Sequence, residues 1–101
     1  MASRYRRQTQ ETEMIEETLR EKGFADTTAY RYNSASIRVR IIDKRFAKKS
    51  WTKREKMVLP TIRSLPEEIQ LDIIFLLMLA PDEAEESPMN MEFENPDRSR
   101  R

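Results

Sequence analysis

Nine lysine and arginine residues lie between positions 38 and 56 against only Asp43 and Glu55, so these nineteen residues carry a net charge of +7. A local excess of basic residues beside a helix start is the usual electrostatic signature of phosphate binding, and the helix amides add donors. The stretch therefore predicts a surface that binds RNA or DNA weakly, with little sequence preference and strong salt dependence. The candidate residues are Arg38, Arg40, Lys44, Arg45, Lys48, Lys49, Lys53, Arg54 and Lys56.

A less specific interpretation fits the same residues. The stretch can be a solvated charged turn, with Phe46 and Trp51 anchoring it to the core instead of stacking on a base. Arg54 falls on the apolar side of its predicted helix, which favours an ion pair with a carboxylate such as Asp43, because a buried guanidinium must be matched. Glu55 is interpreted as a helix-capping residue and not as a ligand.

Composition excludes several kinds of chemistry. The 101 residues contain no cysteine and no histidine, which excludes disulfides, thiol catalysis, zinc sites of the Cys/His type and an imidazole base. A single glycine excludes a Gly-rich phosphate loop. No nucleophile stands beside a plausible base, so we expect no enzymatic activity, no cofactor and no metal.

Two terminal segments have compositions that differ from the middle of the chain. Residues 64–97 contain ten acidic residues and no basic ones, and residues 81–101 combine acids and prolines with few bulky apolar groups. We predict a disordered acidic tail over 81–101, because such a segment buries too little to offset its ordering entropy. Residues 1–8 are predicted to be flexible. With no secretory signal or membrane segment expected, the prediction is a cytoplasmic monomer with one domain over 9–80.

The basic stretch needs a scaffold, and the pattern of apolar residues predicts one. Ile15 and Leu19 recur at helical spacing, and Gly23 suits the position just past the helix end. Residues 28–32 and 37–41 predict a β-hairpin around a turn at 33–36. The strict alternation of 37–41 puts Arg38 and Arg40 on the face away from the core, which predicts an exposed cationic strand face.

The second half of the scaffold begins at the basic stretch. Thr52 and Glu55 fit a capping box before a helix, and a short helix is predicted over 65–70. Residues 71–79 favour a strand packed against both neighbours, although periodicity alone leaves a buried helix open. The predicted fold class is α+β, order α-β-β-α-α-β, with a three-stranded sheet and helices on one face.

Segment 36–58, with the sequence SIRVRIIDKRFAKKSWTKREKMV, resembles BolA-like proteins. That family places an alternating strand before an Arg-Phe turn, then a basic stretch and a helix start, and the element order extends the resemblance over about 11–82. It implies the BolA-like fold, which is related to the type II KH domain. The matching positions are Asp43, Arg45, Phe46, Arg54, Lys56, Met57 and Val58.

The sequence departs from that family at the residues that hold its iron–sulfur cluster. Glu55 stands where the family carries a ligand histidine, and the loop at 33–36 offers neither the family's second His nor a Cys. A carboxylate is a poor ligand for a soft iron–sulfur centre, so the cluster role is not carried over, and the case for glutaredoxin binding weakens. Two hypotheses remain: a nucleic-acid-binding module, or a protein-interaction adaptor that uses the same surface against an acidic partner.

Overall fold

A computed structural model describes residues 7–96 of the chain. Its element order confirms the predicted α-β-β-α-α-β arrangement and adds two short helices after the last strand. A 3-10 turn, Lys44–Phe46, lies between the second strand and the second helix. The elements are α1 (Gln10–Glu21), β1 (Asp26–Asn33), β2 (Ser36–Ile42), α2 (Trp51–Ile62), α3 (Glu67–Asp72), β3 (Ile73–Leu79), α4 (Pro81–Ala84) and α5 (Pro88–Glu94).

The three strands form one mixed sheet in the order β1-β2-β3. β1 and β2 are antiparallel, with Ala29 opposite Val39, and a short turn joins them. β2 and β3 are parallel, with Val39 opposite Leu76. A parallel pair needs a crossover connection, which α2 and α3 supply. The predicted strand at 71–79 is therefore a strand from residue 73 onward, and it lies at an edge of the sheet.

Both ends of α1 are fixed by local hydrogen bonds. Thr9 and Thr12 cap its start reciprocally, since each hydroxyl accepts from the other residue's amide. At its end Gly23 has φ +99°, a conformation that glycine adopts without steric cost. This turn lets the Phe24 amide donate to the Leu19 carbonyl at 3.0 Å.

The start of α2 differs from the sequence prediction by two residues. Ser50 is the cap, because its hydroxyl accepts from the Lys53 amide at 3.2 Å and the helix begins at Trp51. The proposed capping box of Thr52 and Glu55 is wrong. Glu55 instead lies in the second turn of α2, where it is half-buried.

The main core lies between the sheet and helices α1, α2 and α3. Leu19 and Val58 pack from the helices against Ile37, Val39 and Ile41 of β2, and all five side chains are fully buried. The alternation of apolar residues along β2 thus determines which face of the sheet receives the three helices.

The opposite face of the sheet is covered by the C-terminal segment. Phe93 of α5 is fully buried against Tyr30, Leu77 and Leu79 of that face. The predicted disorder of 81–101 is wrong for 81–96, and residues 97–101 lie outside the described part. One aromatic ring suffices here because the sheet offers Tyr30 and Phe75 as ring partners, which composition alone does not reveal.

The N-terminal segment is also partly ordered. Arg7 and Arg31 exchange two backbone hydrogen bonds, at 2.8 and 3.3 Å, along the free edge of β1. The predicted flexibility of 1–8 is therefore wrong for residues 7 and 8, whereas 1–6 lie outside the described residues. Within 7–96, no helix combines the length and apolar character needed to cross a lipid bilayer.

Candidate nucleic-acid interface

The turn between β2 and α2 is held rigidly at three points. The Asp43 carboxylate accepts from the Arg45 amide at 2.8 Å and begins the 3-10 turn. Phe46 is fully buried in the core, and Lys48 has φ +63°. Ser50 then caps α2. These constraints place the intervening lysines on an ordered turn that leads into the N-terminus of a twelve-residue helix.

Five lysines around this turn form what we call the lysine surface, and all five are exposed. None of the five forms an ion pair with a residue in 7–96. Trp51, the first residue of α2, is 42% exposed beside them. Phe46 has the anchoring role that the less specific interpretation gave to both aromatics, whereas Trp51 does not. The lysine surface comprises Lys44, Lys48, Lys49, Lys53 and Lys56.

Arg45 lies next to the lysine surface but has local partners. Its Nε and Nη2 atoms donate to the two Asp43 carboxylate oxygens, each at 2.8 Å, and Nη2 also donates to the Gly23 carbonyl at 3.0 Å. Its guanidinium lies 4.6 Å from the centre of the Phe24 ring. The hydrogen bond from Arg45 holds the pKa of Asp43 below its ordinary value. Arg45 therefore fixes the turn to the end of α1.

Arg54 is buried and bonded on every side. Nη1 and Nη2 donate to the two carboxylate oxygens of Glu83 in α4, each at 2.8 Å. Nη1 also donates to the Met78 carbonyl at 2.8 Å, and Nε donates to the Lys49 carbonyl at 3.0 Å. The sequence predicted a carboxylate partner, but the partner is Glu83 and not Asp43. Hydrogen bonds from Arg54 and from the Ala80 amide lower the pKa of Glu83 to about 2.

Arg38 and Arg40 do not join the lysine surface. Both are buried on the sheet face beneath α5, so the predicted exposed cationic face of β2 is wrong. Arg40 Nη1 donates to Asn90 at 2.8 Å and to Glu94 at 2.5 Å. Arg38 Nη1 lies 3.1 Å from a carboxylate oxygen of Glu92. The acidic segment that composition assigned to solvent thus neutralises this strand.

Aromatic rings complete the surroundings of these two arginines. The Arg38 guanidinium lies 4.1 Å from the Tyr32 ring centre and 5.1 Å from that of Phe75. Arg40 lies 4.8 Å from the centre of Phe93. The buried Nε and Nη1 atoms of Arg38 have no aligned acceptor, so charge and ring faces hold this side chain more than hydrogen bonds do.

The sequence contained one signal for the Glu83 contact that the overall composition of residues 81–101 did not reveal. Pro81 followed by an acid two residues later is typical of a helix start, with proline in the first turn. Glu83 accepts from the Ala80 amide at 2.9 Å through the same carboxylate that binds Arg54. Reading α4 as a helix would have placed a carboxylate beside the last residues of the preceding strand.

No protein-family model, curated protein or solved structure matches the chain.

Proposed function

We propose that this domain binds single-stranded nucleic acid through the lysine surface, with the phosphates as its main contacts. One observation carries the proposal: five exposed lysines without a described carboxylate partner lie before α2 or in its first two turns, where Trp51 is also exposed. Like charges held close together on an ordered turn repel one another, and a polyanion relieves that repulsion.

Two further features of the turn support this function. The Ser50 hydroxyl accepts from the Lys53 amide. The amides of Trp51 and Thr52, however, precede it in the first turn of a three-turn helix, so they can donate to a phosphate oxygen between the lysines. Trp51 offers an exposed ring, and stacking of a base on such a ring tolerates any sequence. The predicted element order agrees with the BolA-like arrangement, but the missing ligand histidine keeps an iron–sulfur role out of the proposal.

The number of available lysines limits the size of the effect. If all five contact phosphates on a single strand, the logarithm of the association constant falls with the logarithm of salt with a slope of at most about 3.5. Arg38, Arg40, Arg45 and Arg54 add nothing to this slope, because each already has a carboxylate partner. The expected binding is weak and rises steeply as salt is lowered.

Fluorescence anisotropy with labelled random-sequence RNA and single-stranded DNA at several salt concentrations tests the proposal. Replacing Lys48, Lys49 and Lys53 together by glutamine should reduce the slope by about 2, since three contacts are lost. Arg7→Gln is the control, because Arg7 lies beyond the β1 edge whereas α2 packs beside β3. The salt slope of Arg7→Gln should equal that of the parent.

Two outcomes would reject nucleic-acid binding: no binding by the parent at low salt, or equal slopes for the parent and the triple variant. The lysine surface would then be assigned to an acidic protein partner. Trp51→Ala separates stacking from phosphate contact, because it should weaken binding without changing the salt slope. A changed salt slope for Trp51→Ala would instead indicate that Trp51 is needed for the turn to fold correctly.

A further inference from the structure

β3 is an edge strand, and the Met78 carbonyl on its outer side accepts a hydrogen bond from Arg54. Within the described residues no strand pairs with that side. Natural edge strands usually carry charges, prolines or bulges that prevent pairing with another chain. Residues 73–79 contain no charge and no proline, and their one such feature is the bulge at Ile74, which leaves this apolar side chain with 62% of its surface exposed. An apolar edge of this kind is typical of a strand that pairs with a partner.

The backbone of β3 presents hydrogen-bonding groups on that side. The Leu79 carbonyl accepts from the Asp43 amide on the β2 side, whereas the Met78 carbonyl accepts from Arg54 on the other side. Since backbone groups alternate along a strand, the amide and carbonyl of Leu76 also face away from β2. Leu76 lies at the middle of β3, so an antiparallel partner strand can bond at its centre.

A groove of about 380 Å³ runs between this edge and α2. Its lining is mixed: Leu59, Ile73 and Leu76 are apolar, while Glu55 and Arg63 contribute charges from α2. Neither of these two charged side chains forms an ion pair within residues 7–96. The groove therefore combines an apolar middle with one unmatched charge of each sign.

The two charges are arranged symmetrically about Leu59. Glu55 precedes Leu59 by four residues and Arg63 follows it by four, so all three lie on one side of α2. α2 runs antiparallel to β3, because Arg54 contacts Met78 at one end while Arg63 lines the groove with Ile73 at the other. Leu59 and Leu76 thus lie near the same level, which is the centre of the edge.

We infer that two copies of the chain associate through this edge about a two-fold axis near Leu59 and Leu76. In such an interface the same patch meets itself. The axis brings Glu55 of each copy against Arg63 of the other, which matches both charges. β3 and its counterpart pair as antiparallel strands through the amide and carbonyl of Leu76, and Ile74 of each copy is covered. The monomer predicted from sequence is replaced by a dimer whose sheet has six strands.

Charge reversal tests this arrangement directly by sedimentation velocity on the full chain without nucleic acid. The parent should sediment as a dimer, and Glu55→Arg and Arg63→Glu should each raise the dissociation constant about tenfold or more, because two attractive contacts become repulsive. A mixture of the two variants should regain the parent's affinity, since the arginine introduced into one chain then faces the glutamate introduced into the other. Glu17→Lys, which reverses an exposed charge of α1 that does not line the groove, is the control.

Several results would overturn the inference. A parent that stays monomeric up to about 200 μM lacks the interface, since dimers that persist in solution need stronger binding. Variants that dimerise like the parent would place the interface elsewhere, and a mixture no tighter than its components would exclude the two-fold pairing. Thermal unfolding of each variant by circular dichroism identifies a folding defect. If Glu55→Arg or Arg63→Glu fails to fold, Ile74→Lys replaces it and should also raise the dissociation constant.

Discussion

Replacing Phe93 by alanine should strongly destabilise the protein, although this residue belongs to a segment of largely polar composition. The ring is fully buried, with its centre 4.9 Å from that of Tyr30 and 6.1 Å from that of Phe75. Removing a buried phenyl ring from a packed site costs about 3–5 kcal/mol. Small domains have a total stability of about 5–15 kcal/mol, so the expected loss is a large part of the whole.

The position of Phe93 near the chain end limits this loss. α5 can leave the sheet while the rest of the domain stays folded, and after that no further penalty arises. The cost of Phe93→Ala therefore cannot exceed the free energy with which the segment from residue 88 docks. Undocking also exposes Arg38 and Arg40 to water, which spares them a buried and unpaired state. We expect about 3 kcal/mol, at the lower end of the range for buried rings.

Urea titration followed by far-ultraviolet circular dichroism measures the free energy of unfolding. Met91→Ala is a matched control, because Met91 lies in the same helix with 65% of its surface exposed and should change stability by less than about 0.5 kcal/mol. A chain ending at residue 87 lacks α5, so its loss of unfolding free energy gives the largest loss that Phe93→Ala can cause. If Phe93→Ala and Met91→Ala unfold at the same urea concentration, the ring does not hold α5 on the sheet and the argument fails.

Three further predictions concern the fixed points of the fold. Ser50→Ala should lower the free energy of unfolding by about 0.5–2 kcal/mol in urea titration. Thr52→Ala should change it by less than about 0.5 kcal/mol. A larger loss for Thr52→Ala than for Ser50→Ala would show that Thr52 is the cap. Gly23→Ala should cost about 1–2 kcal/mol, because φ +99° strains any residue with a Cβ; no loss would show that the turn relaxes. The pKa of Glu83, about 2 against an ordinary 4.5, makes its contribution to stability present above pH 4.5 and lost as the pH falls toward 2. Glu83→Gln should therefore lower stability more at pH 6 than at pH 3, and an equal loss at both would disprove a charged contact.

The elements of the fold could be predicted from sequence because their signals are local. The alternation of 37–41 and the helical spacing of Ile15 and Leu19 each depend on residues within one element. The buried face of β2 toward the helices followed from the same alternation. Cap positions are less well determined, since Ser50 and Thr52 both suit a cap and the choice depends on how Phe46 fits the core.

The covering of the second sheet face could not be predicted in this way. Arg38 meets Glu92 and Arg54 meets Glu83, and each pair joins elements far apart in sequence. The composition of residues 81–96 predicts a segment too polar to fold alone, because composition does not include the sheet face on which the segment docks. The sheet supplies the missing apolar surface, and the buried arginines supply charges that attract the acidic segment to it.

The type of each basic residue separates the structural positions within 38–56 from the positions proposed to bind nucleic acid. Each of the four arginines in that stretch has a carboxylate partner, whereas none of the five lysines has a described one. This division has a physical reason: the planar guanidinium forms two parallel hydrogen bonds with a carboxylate and loses less hydration on burial, while the ammonium stays hydrated at the surface. The nine basic residues of 38–56 therefore divide into two sets with different roles. Arg38, Arg40 and Arg54 match the acidic C-terminal segment and hold it in place, whereas Arg45 holds the turn through Asp43. The lysines alone remain without a described carboxylate partner. If they bind phosphate as proposed, Lys→Arg changes there should preserve that binding, while Arg54→Lys should weaken the fold.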